Sequence, residues 1–443
     1  MSKIIIPQER TQISRRSFLG STSKVMAGGA LLSALPVERL AHAQASNEPL
    51  KLALIGCGGR GSGATNQALN TGKCKLVAMA DAYQDRLTSS LSSLKDAHTD
   101  KVDVPADRQF VGLEAYKQAI DAADVVVLAT PPGFRPMTYE YAVEKGKHIF
   151  MEKPVATDGP GIRKMLAAAE KAKAKNLKVV VGLQRRYQPG YREVIQRIHD
   201  GMIGDVVAMR CYWNGAGVWV NPRQPNQSEM DYQIRNWYYF AWLSGDHIVE
   251  QHVHNIDVCN WVKNEFPRKC QGMGGREVRK GKDYGEIYDH HAVEFEYSDG
   301  VRMFSYCRHQ PNTWANVSEH IIGTKGVGET DRPHILRGHD RKILYRFRSQ
   351  EVIDPYQQEH DELMDAILNN KTLDNSEYGI KSTLTGIMGR MATYGGQQVL
   401  FDDAMNSEID LFPAKLGWNE EPRLKPDADG LYPVAVPGKT VTV

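Results

Sequence analysis

Three short stretches of this chain combine residue types and spacings that suit chemistry rather than packing. Residues 152–154 read Glu-Lys-Pro, directly after the apolar run His148-Ile-Phe-Met. Residues 242–261 hold His247, Glu250, His252, His254 and Asp257. On one helix, positions 250, 254 and 257 share a face at i, i+4 and i+7, with His247 one turn ahead. A carboxylate one turn from a histidine fixes its tautomer and tunes its basicity, which is equipment for acid–base work. Glutamate and histidine are also ordinary zinc ligands. A helix turns position 252 away from 250 and 254, however, so no metal is assigned. The third stretch, Gly56-Cys57-Gly58-Gly59-Arg60-Gly61, has the spacing G-x-G-x-x-G. Its first glycine permits a tight turn and its second lets backbone approach a pyrophosphate. The third allows close helix–strand packing, and the following helix start offers amide donors.

These residues need a frame that brings them together. Leu50–Gly56 is an apolar run of the kind a buried parallel strand shows, and a plausible helix follows from Gly63. A second strand, Lys75–Ala80, ends at Asp81, where a carboxylate accepts ribose hydroxyls and repels a 2′-phosphate, favouring NAD over NADP. The apolar run Asp124–Thr130 closes at Pro131-Pro132. A helix over 138–145 and the strand 148–151 come next, completing the βαβ order of a doubly wound parallel sheet. Ligands of such sheets bind at the carboxyl ends of the strands, which puts Thr130, Pro131, Glu152 and Lys153 beside the cofactor. A lysine beside a cationic nicotinamide and an apolar wall has its ammonium destabilised, the condition for proton transfer. Alternation around Ser298-Asp299-Gly300 reads as a hairpin, and 317–326 as a strand and turn. The second half is therefore an α+β domain, mainly an antiparallel sheet, closed by a helix over 381–400.

On the glycine turn, Glu152-Lys153-Pro154 and His254, the chain resembles the Gfo/Idh/MocA family of sugar and polyol dehydrogenases over roughly residues 50–400. The resemblance implies a large open sheet whose outer face makes homodimers or homotetramers. It also implies that Lys153 points at the hydroxyl being oxidised and that His254 hydrogen-bonds substrate oxygens and cooperates with the lysine. Asp257 falls on the family's closing aspartate and is, with His252, a candidate for substrate binding. Two positions depart: Glu250 stands for the usual aspartate, and His252 for a glycine, narrowing the pocket or adding a second acid/base. Gln184 and Arg186 follow the strand after the Glu-Lys-Pro and are candidates for cofactor or substrate contact. The aromatic-rich region 212–240 suits a carbohydrate, since rings stack on sugar C–H faces, and Arg235 and Trp237 are its candidate pocket residues. The expected reaction is hydride transfer between a tightly bound NAD and a secondary hydroxyl of a sugar, polyol or glycoside. Two other readings stay open: a glycosidase working by transient oxidation and elimination, and a non-catalytic sugar-binding protein.

The 443 residues are 41% hydrophobic and 24% charged with a formal net charge of +2, which gives no basic block for nucleic acid. Residues 1–45 read as an address: Ser14-Arg15-Arg16-Ser17-Phe18-Leu19 resembles a twin-arginine motif, and Ala41-His42-Ala43 a cleavage site. The apolar stretch between them is too short to span a membrane. The expected destination is therefore the periplasm. None of the six cysteines forms a C-x-x-C pair, so buried free thiols are expected. The remaining divisions are an NAD-binding domain over 46–185, a substrate and oligomerisation domain over 186–412, and a Pro-rich tail over 413–443.

Overall fold

A computed structural model describes residues 48–349 and 351–443. The twin-arginine leader lies outside the described residues. From Pro49 to Val443 the chain is a single compact unit.

Among the described residues six strands form the first sheet: β1 (Leu50–Ile55), β2 (Cys74–Asp81), β3 (Gln109–Val111), β4 (Val125–Leu128), β5 (His148–Met151) and β6 (Val179–Val181). Their order is β3-β2-β1-β4-β5-β6, all parallel. The order reverses between β1 and β4, which opens the crevice where such sheets bind ligands. Val125–Leu128 and His148–Met151 are buried at every position. Helices cover both faces, so apart from His148 these strands are apolar throughout rather than alternating. Helix α1 (Gly59–Asn70) leaves the end of β1 and α2 (Gln84–Ala97) the end of β2.

Among the described residues the second sheet has nine strands, in the order Ile343–Arg346 (β14), Ile335–Gly338 (β13), Gly326–Glu329 (β12), Asn316–Gly323 (β11), Val206–Gly215 (β7), Arg302–His309 (β10), His290–Glu296 (β9), Lys269–Gly275 (β8) and Val399–Leu400 (β15). Its centre is β7 (Val206–Gly215), which pairs in parallel with β10 (Arg302–His309). The other pairings, including the hairpin of β9 (His290–Glu296) with β10, are antiparallel. Along β10 burial alternates, Met303, Ser305, Cys307 and His309 facing helices and Arg302 and Tyr306 facing outward. This is the α+β half expected from the sequence, with β11 (Asn316–Gly323) and β12 (Gly326–Glu329) as the expected strand and turn.

The closing helix runs over Ser376–Gly395, beginning earlier than its apolar pattern indicates because buried polar residues continue it. Before it, Pro355–Leu368 is a helix that packs against α1, β5 and β6. The tail folds back on its own chain: Trp418 packs on Tyr83, and Gly438 bonds the carbonyl of Gly395. All six cysteines are free and buried.

Candidate functional site

A cavity of about 670 Å³ opens at the carboxyl ends of the parallel strands, between the two sheets. That volume suits a cofactor and a small ligand together. Its floor is the glycine turn. Gly56 has φ +93°, and a Cβ there would sit 2.6 Å from Ala129 and Thr130 backbone. A Cβ on Gly61 would meet the carbonyl of Gly56 at 2.0 Å. At Gly58 and Gly59 a Cβ would meet nothing, so open space remains above the start of α1. No side chain caps that helix, whose first N–H groups are free to take an anion. Asp81 holds the turn by accepting from Cys57 N at 2.6 Å and from Tyr83 N at 2.9 Å. Burial raises its carboxyl above the ordinary range. Thr130 Oγ1 and Gln184 Oε1 line the same space, buried and without partners. Uncapped amides, an open cradle and orphaned polar atoms together fit a dinucleotide.

Pro131 also lines the cavity, as do Arg60 and Glu152. These two charges are paired with each other at 2.5 Å, and the Arg60 guanidinium lies 4.7 Å from the Tyr356 ring. Tyr356 comes from a helix hundreds of residues later and no local signal marks it.

Lys153, Glu250 and His254 meet at the far end. Lys153 Nζ donates to the carboxylate of Glu250 at 3.0 Å and also to its carbonyl. Both side chains are mostly buried, 12% and 14% exposed. His254 stacks on Trp213 at 5.9 Å, and its Nδ1 is buried without a partner. Burial, together with the charges of Lys153, Arg185 and Arg60, holds His254 well below the ordinary histidine range, so its imidazole is neutral.

Contrary to the expectation of a single helix, residues 247–257 are not continuous. His247–Glu250 and Val253–Lys263 are separate helices, joined at Gln251 and His252. His252 N bonds the carbonyl of His247, one residue beyond the α ladder, and this wider turn shifts the register. Glu250 therefore serves Lys153 instead of tuning His254. His252 does not reach the cavity: it is fully buried, with Nε2 2.8 Å from Ser305 Oγ and 3.6 Å from Cys211 Sγ. It neither narrows the pocket nor supplies a second base.

Arg186 and Asp257 also stand away from the cavity. They form a two-pronged pair at 2.8 and 2.9 Å, with the guanidinium 3.8 Å from the Tyr378 ring. Each is the other's partner, so neither is left for substrate. Arg235 does line the cavity, but at the end beyond Asp81: it forks Asp85 at 2.8 and 3.0 Å and stacks 3.5 Å over Tyr83. That places it on the adenosine side rather than against substrate. Trp237 lines the cavity edge-on to Trp219, while Tyr238, Tyr239 and Phe240 are core.

Behind the site, Asp246 holds an unusual backbone conformation (φ 71°, ψ 162°). Its carboxylate accepts from His247 Nδ1, Tyr288 N and Tyr394 Oη and faces His291 Nε2 at 3.2 Å. The strained residue is over-determined by its neighbours, as such positions must be. It sets where the Glu250 segment begins.

A parallel sheet with a glycine turn, joined to an open mixed sheet, defines a dinucleotide-dependent enzyme of two halves. Residues 50–182 match the NAD-binding Rossmann domain of the Gfo/Idh/MocA oxidoreductases, and 191–329 match that family's C-terminal domain. The chain belongs to this family and is an NAD-dependent oxidoreductase. It is 24% identical over 325 residues to an inositol 2-dehydrogenase of Rhizobium meliloti, covering 72% of this chain and 88% of that one. With inositol 2-dehydrogenase 3 of Saccharopolyspora erythraea it shares 32% over 233 residues, 52% of this chain and 57% of the other. Its fold is similar to scyllo-inositol dehydrogenase from Lactobacillus casei with bound NAD(H) and scyllo-inositol (TM-score 0.61, 22% identity, 80% of this chain and 100% of that one).

Proposed function

We propose that the protein moves a hydride between NAD and a ring carbon bearing a secondary hydroxyl, its substrate being a cyclic polyol or a sugar. The observation that carries this reading is the meeting of Lys153, Glu250 and His254 at one end of a cavity whose other end is the glycine turn. When bound, the nicotinamide accepts or returns the hydride. The chain's own residues handle everything else. In its amine form Lys153 Nζ gives both N–H bonds to Glu250 and turns its lone pair toward the cavity, ready for a proton. The hydroxyl proton passes to Lys153 Nζ, and the carboxylate 3.0 Å away offsets the charge that arrives there. His254, kept neutral, orients the same oxygen by a hydrogen bond. Trp213 and Trp237 line the same cavity and supply apolar wall for a ring.

The inositol dehydrogenases among its relatives support a polyol over a glycoside. With His252 buried elsewhere, the glycosidase reading loses its second base. Asp81 argues for NAD over NADP, and the Arg15-Arg16 leader for export to the periplasm as a folded protein. Free NAD is scarce there, so the cofactor travels tightly bound. Tyr212, Tyr306 and Trp314 cluster on the outer sheet face, with Trp314 61% exposed, which supports a second copy covering it. Light scattering distinguishes a dimer or tetramer from a monomer.

The deciding experiment has two parts. Purified protein is denatured and its supernatant assayed for NAD, and intact protein is incubated with myo-inositol, scyllo-inositol or D-glucose while NADH is followed. Reduction of NAD by one of these is the expected result. Absence of nicotinamide from fresh preparations, or no reduction with any of them after NAD is added, would overturn the reading.

A further inference from the structure

Gln251 occupies the break between the two helices and lines the cavity beside Glu250. The side chains packed behind it settle which way its amide faces. His309 Nε2 lies 2.7 Å from Gln251 Oε1, and His309 Nδ1 contacts Nη2 of Arg279. A guanidinium carries only donors, so His309 Nδ1 is the lone-pair nitrogen and Nε2 bears the proton. His309 therefore donates to Gln251 Oε1, and the –NH₂ group faces the other way. Gln251 Nε2 forms no hydrogen bond with any described residue.

The arrangement is rigid at each step. Arg279 is buried, gives Nη1 to the carbonyl of Tyr288, and sits on a turn whose amides at 277, 278 and 279 all bond Asp289 Oδ2. His309 stacks on His247 at 4.5 Å. Burial and the neighbouring His247 and Arg279 press its basicity down, so this tautomer persists across ordinary pH.

We propose that Gln251 is a substrate-positioning residue: its Nε2 donates to a second substrate oxygen, close to the one at Lys153. The site thereby selects a ring carrying neighbouring oxygens over an isolated secondary alcohol. This inference rests on the polyol reading above. A fixed amide in a binding pocket discriminates through geometry, because an oxygen missing from the ligand leaves the donor unpaired.

The test uses the full-length, NAD-loaded protein and whichever of myo-inositol, scyllo-inositol and D-glucose the wild type oxidises. Gln251→Leu should raise KM about tenfold while kcat changes less than about threefold. Gln251→Glu keeps the shape and the acceptor for His309 but removes the donor, so it should lose as much. Calorimetric titration of the same compound into Lys153→Met, with and without Gln251→Leu, reads binding without turnover and should show the same weakening. Wild-type KM in Gln251→Leu, or rescue by Gln251→Glu, would overturn the proposal while leaving the polyol reading intact. Loss of bound NAD instead of polyol affinity would move Gln251 to the cofactor and overturn it equally. A wild type that oxidises none of the three compounds sinks the polyol reading and this inference with it.

Discussion

The two ends of the cavity are built by different means. At the cofactor end the working parts are backbone: an uncapped helix start, a glycine at positive φ, and a carboxylate bonding the turn that precedes it. These parts lie within residues 56–81, and Thr130, Gln184 and Tyr356 join them from further along the chain. At the substrate end the working parts are side chains, and each is held by something distant in sequence. Lys153 is held by Glu250, Gln251 by His309, and His309 by Arg279. Backbone geometry leaves its mark locally, as glycines at fixed spacing. A network of buried side chains leaves none, because its members are brought together only by packing of whole elements.

The strongest test of this contrast removes one side chain from the substrate end. Lys153→Met keeps the bulk and deletes the proton acceptor, so turnover should fall roughly 100- to 10,000-fold while polyol and NAD still bind. Stopped-flow reduction of NAD against calorimetric binding separates the two effects. Full activity in Lys153→Met would show that the lysine is not the acceptor.

A second test asks whether a charged pair near the site belongs to it. Asp257→Asn leaves Arg186 buried without its carboxylate, and breaking a buried pair costs about 3–5 kcal/mol. Urea unfolding should show a loss of that order, with KM for the polyol changed less than about threefold. A large rise in KM at unchanged stability would return both residues to substrate binding, as the sequence pattern had them.

The cofactor end predicts a smaller and more selective change. On the proposed preference for NAD, Asp81→Ser should let NADP be accepted about tenfold better relative to NAD. Equal use of both cofactors by the wild type would mean that Asp81 serves only to hold Cys57 and Tyr83.

The parallel sheet, its cofactor turn and the open mixed sheet were all legible in the sequence. Strand runs such as Val125–Leu128 are apolar at every position, and β9 and β10 alternate. The placement of Lys153 and His254 beside the cavity was legible through their neighbours. Illegible was the break at Gln251–His252, since helical periodicity assumes one register and a single wide turn changes it. That slip moved Glu250 to Lys153 and buried His252. Arg186 and Asp257 misled for another reason: opposite charges seventy positions apart give no hint that they are meant for each other.

A further effect is expected behind the cofactor end, on the helix Pro355–Leu368. His360 there is fully buried against Phe150 at 4.3 Å, with neither ring nitrogen partnered. Burial, reinforced by Arg60, pushes its pKa down to about 3. The unfolded chain protonates this histidine near the ordinary value of about 6.5, whereas the folded chain keeps it neutral. The unfolded state thus binds the extra proton, and stability falls as pH drops below about 6.5. At pH 5 this group alone should cost about 2 kcal/mol relative to pH 8. His360→Leu removes the titration and an unsatisfied N–H together. Urea midpoints of the variant should therefore fall less than those of the wild type between pH 8 and pH 5, by an amount equivalent to about 2 kcal/mol. Identical acid limbs in the two proteins would mean that His360 finds a proton partner in the folded state. In that event, the back of the cofactor end would be held by a side-chain network after all, and the contrast between the two ends would narrow.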